Sequence, residues 1–326
     1  MPSMRLLALA LGLLGLGAAS GLVIYEGAGE VLATFASVGL GLPAIALFHL
    51  APMTANARAW RALLPGERRP PLGFFLWTVW VREAVNAMLP VFRVGGEIVG
   101  VRLMMMRDVR TRPAVATLVV DMTMSLLSQF LFTVFGLFLL FLRYEDATLC
   151  TDIVLGLAFA IPVLAGFAIA QRLGLFELFA PLLRPFFSAR FERMVGGSRA
   201  LDRAVRIIYR RPRRALSCLL WQFAGWVVSS GEIWIALQCF GHPLGVLDAV
   251  VITAVIEAAS SSAFFVPGAL GVQEGSFLVI GSLLGLAQEE ALALALVRRA
   301  RDVLVYGPAL ALWQLREGRR LMSSIP

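Results

Sequence analysis

The 326-residue chain has no lysine, two histidines and three cysteines, and only 15% of its residues are charged. Each scarcity narrows the function. His49 and His242 stand in no ligand-spaced cluster, which argues against a histidine-based metal site. Cys150, Cys218 and Cys239 are scattered, with the last two in one expected helix and Cys150 in an expected outer loop, so no disulfide framework is implied. There is no P-loop, and ATP-driven pumping would need another subunit. No stretch is long enough for a separate soluble catalytic domain. The chain is expected not to be an enzyme and to carry no cofactor or metal.

Apolar residues take the place of the missing charge. The chain is 59% hydrophobic, with a mean hydropathy of +0.81, more than one soluble core of this length would bury. It reads as an all-α polytopic membrane protein, with residues 1–326 forming a single transmembrane domain. A hydrocarbon core about 30 Å thick is crossed by about 20 helical residues. Apolar runs of that order lie near residues 4–25, 32–54, 113–142, 151–171, 215–240 and 291–314. The small residues Ala18 to Gly21 resemble a signal-cleavage site. The apolar character continues to Tyr25, however, so the first run is read as a retained helix.

Arginines cluster at 58–69, 107–112, 172–214 and 316–320, whereas the loops around 26–30, 143–152, 241–248 and 287–290 carry mainly Glu and Asp. Arg-rich loops stay cytoplasmic. Both termini are then cytoplasmic. Region 73–107 begins and ends inside, and region 246–287 begins and ends outside.

Those two regions carry the same broken motif, Pro90-Val-Phe-Arg-Val-Gly-Gly-Glu97 and Pro267-Gly-Ala-Leu-Gly-Val-Gln-Glu274. Asp121 and Arg298 follow the two glutamates at equal spacing. The pattern reads as a duplication, with repeats at about 32–142 and 215–314, and the charge bias makes it inverted. Helix-breaking segments at matching places in two halves point to a substrate site at the repeat interface. Residues 73–89 make a helix of about 26 Å, short of a full crossing, so the first hairpin is expected to be re-entrant. The second, with arms 246–266 and 268–287, is long enough to cross, but its tip has no arginine to hold it in the cytoplasm. It too is read as buried.

Charges at bilayer depth are costly and face a cavity or each other. Candidates are Arg82, Glu83, Arg93, Glu97, Arg102, Asp121, Glu232, Glu257, Glu274, Arg298, Arg299, Arg301 and Asp302. From these and the motif residues, the expected substrate-binding set is Glu83, Asn86, Pro90, Arg93, Gly96, Glu97, Glu257, Pro267, Gly271, Gln273, Glu274, Arg298 and Asp302. The competing reading is structural ion pairing, for example of Glu97 with an arginine of the C-terminal helix. Ser260 to Ser262 would add neutral hydrogen-bonding groups or bond to neighbouring backbone.

The linker 172–214 has apolar residues at helical spacing followed by dense arginine, which suits amphipathic helices lying on anionic headgroups. Topology accounts for the pI near 10.5 without nucleic acid as a partner. Arginine in place of lysine favours bidentate phosphate contacts; the codon usage of a GC-rich genome accounts for it equally.

The segment from Arg82 to Glu97, the segment from Pro267 to Glu274 and the stretch Arg298 to Asp302 together resemble the transmembrane, flippase-like region of lysylphosphatidylglycerol synthase. Within that superfamily they are most similar to HpnL-type proteins associated with hopanoid biosynthesis. The resemblance spans nearly the whole chain. It implies a bacterial inner-membrane protein that moves an amphipathic lipid between leaflets, with membrane lipids and lipid-biosynthesis enzymes as partners. The synthase's soluble aminoacyltransferase domain has no counterpart here, so aminoacylation is not implied. An ion-coupled transporter of a small solute and a non-transporting scaffold for lipid-modifying enzymes remain alternatives.

Overall fold

A computed structural model describes residues 28–64, 69–89, 95–143, 198–242, 244–262 and 271–323. Every regular element among them is a helix: α1 Ala28–Ser37, α2 Gly41–Phe48, α3 Leu50–Leu63, α4 Leu72–Met88, α5 Gly95–Met105, α6 Thr111–Arg143, α7 Ser198–Tyr209, α8 Pro212–Phe240, α9 Val246–Ser262, α10 Val272–Leu283 and α11 Gln288–Ser323. The expected spans 4–25 and 151–171, most of the linker, and Pro90, Arg93 and Pro267 lie outside the described residues.

Among the described residues two helices, Thr111–Leu142 and Pro212–Phe240, are long and apolar enough to cross a membrane. On α6, Leu131, Phe135, Phe138 and Leu142 are all exposed at helical spacing. A row of large apolar side chains that would cause aggregation in water is at home against acyl chains. The third long helix, α11, has 36 residues but interrupts its apolar character with Arg298, Arg299, Arg301 and Asp302.

The expected continuous run 32–54 is divided among three helices. Gly39 turns the chain at φ 46°, and Pro52 has no N–H to offer the Phe48 carbonyl. His49 sits at this second break, bonded through its own N–H to the Ile45 carbonyl at 3.0 Å. Each motif region places one helix in the expected first arm, 73–89 or 246–266, and one in the expected second arm, 91–107 or 268–287, with the tips 90–94 and 263–270 outside the described residues. Helices α4 and α9 have 17 residues each, while α5 has 11 and α10 has 12. At about 1.5 Å per residue, α5 and α10 rise about 17 and 18 Å.

The chain divides into two compact units. The first holds residues up to Met53, Val79–Val99 and Val227–Pro326; the second holds Thr54–Thr78 and Gly100–Trp226. In the second unit α7 packs against α6, burying Leu201, Val205 and Ile208 while Arg203 and Arg206 stay exposed. The apolar stripe of this part of the linker is therefore covered by protein. Asp121 is buried there and accepts a 2.9 Å hydrogen bond from Gln222 Nε2. Arg69 lies near Arg214, Arg61 and Arg211; partial burial and then their repulsion hold its guanidinium below the usual arginine value.

Candidate functional site

Helices α5 and α10 begin alike. Glu97 and Glu274 are each the third residue of their helix, where backbone N–H groups are free and the helix dipole favours a carboxylate. Glu274 Oε2 accepts the Gly271 N–H at 2.8 Å, closing the first turn. Gly271 has φ 79°, a conformation that glycine adopts without strain. In the first hairpin Asn86 of α4 supplies the same support from outside the helix. Its Oδ1 accepts the Gly96 N–H at 2.9 Å, and its Nδ2 donates to Glu97 Oε1 at 3.2 Å.

Gly96 is required by close approach. A Cβ there would fall on the Arg82 carbonyl oxygen and on Asn86 Oδ1. Because the nearest obstruction is backbone, it cannot swing aside, and Gly96→Ala is expected to lower stability by about 1–3 kcal/mol. Reversible unfolding in mixed detergent micelles measures this; an unchanged midpoint would show that α5 does not dock on α4 in this way.

Both carboxylates have arginine partners. Arg82 Nη1 lies 3.8 Å from Glu97 Oε2 and Arg82 Nη2 lies 3.1 Å from Glu83 Oε1. Arg299 approaches Glu274 Oε1 through Nε at 3.3 Å and Nη2 at 3.2 Å. Glu257 of α9 is ion-paired with Arg298, and Asp302 with Arg301 at 3.1 Å. Gln273 donates to Ser260 Oγ at 3.1 Å, and that hydroxyl donates to the Ile256 carbonyl at 2.7 Å. Ser260 thus serves both the neighbouring backbone and a motif side chain.

Of the expected set, Glu83, Asn86, Gly96, Glu97, Glu257, Gly271, Gln273, Glu274, Arg298 and Asp302 all fall in the first compact unit. They form two pair networks, one within α4 and α5 and one among α9, α10 and α11. Glu97 pairs with Arg82 of its own hairpin; the glutamates that meet the C-terminal helix are Glu257 and Glu274. Trp80 Nε1 joins α4 to α11, donating to the Val305 carbonyl at 2.7 Å.

Sequence reasoning missed a third cluster on the same stretch of α11. Arg301 Nη1 lies 2.6 Å from Glu232 Oε2 of α8. His49 places Nδ1 2.7 Å from Glu232 Oε1 and Nε2 3.0 Å from the Tyr306 hydroxyl. These partners are 183 and 257 residues from His49 in the chain, so no local spacing announces them. The available signals were Glu232, a lone carboxylate inside a long apolar helix, and Arg301 in the charged stretch of α11; nothing in the sequence pointed to His49.

A family model described as the lysylphosphatidylglycerol synthase TM region matches residues 6–309. No curated protein and no solved structure matches the chain.

Proposed function

The chain belongs to the lysylphosphatidylglycerol synthase transmembrane-region family, and from that premise we propose that it is a lipid flippase rather than an enzyme. In this reading it moves an amphipathic lipid between the leaflets of the bacterial inner membrane, with both termini cytoplasmic, in support of hopanoid or modified-phospholipid biosynthesis. The observation that carries the reading is the pair of matched helix starts. Helices α5 and α10 each place a glutamate in the first turn, within reach of arginine, in one compact unit.

Helices of about 17 and 18 Å, as α5 and α10 are, fall well short of a hydrocarbon core about 30 Å thick. Re-entrant hairpins entering from opposite faces accommodate that shortfall, and irregular backbone at membrane depth has to be enclosed by protein or line a wet cavity. The headgroup occupies such a cavity while the acyl or polycyclic tail stays in lipid. Glu97 and Glu274 accept hydrogen bonds from a hydroxyl- or amine-bearing headgroup, exchanging their present partners for it. Arg298 neutralises a phosphate or balances the glutamates. Rocking one repeat, about 32–142, against the other, about 215–314, opens the cavity to each leaflet in turn.

Leaflet-resolved translocation of candidate lipids in proteoliposomes tests this. Wild-type protein should transfer at least one hydroxyl- or amine-bearing lipid faster than empty vesicles do. Failure with every lipid, in protein shown to be folded, would overturn the reading.

A further inference from the structure

We propose that His49 is a proton-binding site through which this membrane protein couples the state of its second hairpin to pH. The key is the double demand on one atom. Nδ1 of His49 lies 2.7 Å from a carboxylate oxygen of Glu232 and is also in contact with Arg301 Nη1. A carboxylate requires N–H at that position, whereas a guanidinium requires a lone pair. No single protonation state serves both neighbours. With a lone pair on Nδ1 the ring accepts from Arg301 and Nε2–H donates to the Tyr306 hydroxyl. When a proton from bulk water binds Nδ1, the new N–H donates to Glu232 Oε1, and Arg301 is left with Glu232 Oε2 and Asp302. Release returns the proton to water and restores the first arrangement.

The surrounding charge suits a site that takes up one proton. Glu232 from α8 and Arg301 and Tyr306 from α11 meet His49 directly; Arg298 acts on Glu232, and Glu257 from α9 and Asp302 act on Arg301. Glu83 of α4 also acts on Tyr306, with Arg82 as its own partner. Two guanidinium groups therefore face three carboxylates, and an imidazolium at His49 supplies the third positive charge. The His49 side chain is only 12% exposed and that of Glu232 9%, so water screens the imbalance little. Among the described residues the buried Arg301 Nε has no hydrogen-bond partner, which leaves this guanidinium short of a bond that a shift can satisfy. A close helix contact holds the arrangement together: a Cβ on Gly231 would strike the Phe48 ring, so glycine lets α2 bring the adjoining His49 up to Glu232.

Arg301 is the link to the hairpins. It shares one turn of α11 with Arg298 and Arg299, which hold Glu257 and Glu274. A displacement of Arg301 is felt on the stretch of helix that anchors the second hairpin. The purpose assigned to this coupling rests on the translocation reading, but the proton site is tested without it.

The chain has just two histidines, so full-length protein labelled with ¹⁵N-histidine gives two sets of ring signals, assigned with His49→Gln and His242→Gln. Over the pH range in which the protein stays folded, the His49 ring signals are expected to report gain and loss of the proton at Nδ1. Glu232→Gln should displace that step by removing the acceptor of the new N–H, while the His242 signals stay in place. Ring signals of His49 that remain constant over this range, or a midpoint indifferent to Glu232→Gln, would overturn the proposal, since a purely structural histidine behaves so. In proteoliposomes, an imposed pH gradient should change wild-type translocation several-fold and leave His49→Gln flat. Wild-type transport indifferent to the gradient would sink the coupling. An absence of wild-type transport would count against the flippase reading, and the ring titration would still decide the site.

Discussion

Arg301→Met is expected to lower stability by about 3–5 kcal/mol, the loss typical when one member of a buried ion pair is removed and the other remains charged. Arg301 is 6% exposed and Glu232 7%, so water cannot replace the lost guanidinium. The methionine fills much of the volume, and the cost is electrostatic rather than a cavity. The test is the double variant Arg301→Met/Glu232→Gln. Removing both charges should recover more than half of the loss, leaving a remainder from Asp302, which also pairs with Arg301. Reversible unfolding in mixed micles of detergent and denaturing surfactant gives all three values. If the double variant were as unstable as the sum of the singles, the two groups would not be interacting, and the α8 and α11 contact would need another explanation.

Glu97→Gln and Glu274→Gln are each expected to reduce lipid translocation at least about tenfold, equivalent to about 1.4 kcal/mol in the rate-limiting barrier. Glutamine keeps the size of the side chain and one carbonyl acceptor. At position 97 that acceptor can still take the Asn86 amide, and at 274 the Gly271 N–H. The local fold is thereby preserved while the negative charge is removed. At 274 the contact with Arg299 weakens as well, so this variant should lose more stability than the other; Glu97 has its arginine at the longer distance of 3.8 Å. Transport and unfolding must be measured on the same preparations. Normal translocation by both folded variants would assign the glutamates to helix starts and ion pairs alone, and the flippase mechanism proposed above would fail.

The contrast between these two predictions reflects how the charges are held. Glu232 and Arg301 meet deep within long helices, whereas Glu97 and Glu274 sit in the first turns of theirs. Groups at a helix start have neighbours that can change partners when a ligand arrives. Groups packed between long helices exchange partners through a proton or a small shift of a side chain.

Several features were legible in the sequence because they depend on local chemistry. Hydropathy and the scarcity of charge determined a helical membrane protein. The Pro/Gly/Glu motifs put Glu97 and Glu274 in the first turn of the second helix of each motif region, since clustered glycine and proline disfavour a helix interior and a carboxylate favours the first turn that follows. The stretch Arg298 to Asp302 was marked by the expense of charge in an apolar helix. The tertiary structure alone decided who partners whom. It gave Glu97 to Arg82 rather than to the C-terminal helix, divided the run 32–54 at His49, and assembled His49, Glu232, Arg301 and Tyr306 from three distant parts of the chain. Periodicity reports which face of a helix is apolar, but not which helix will cover it. Pairing between buried charges follows from that second choice.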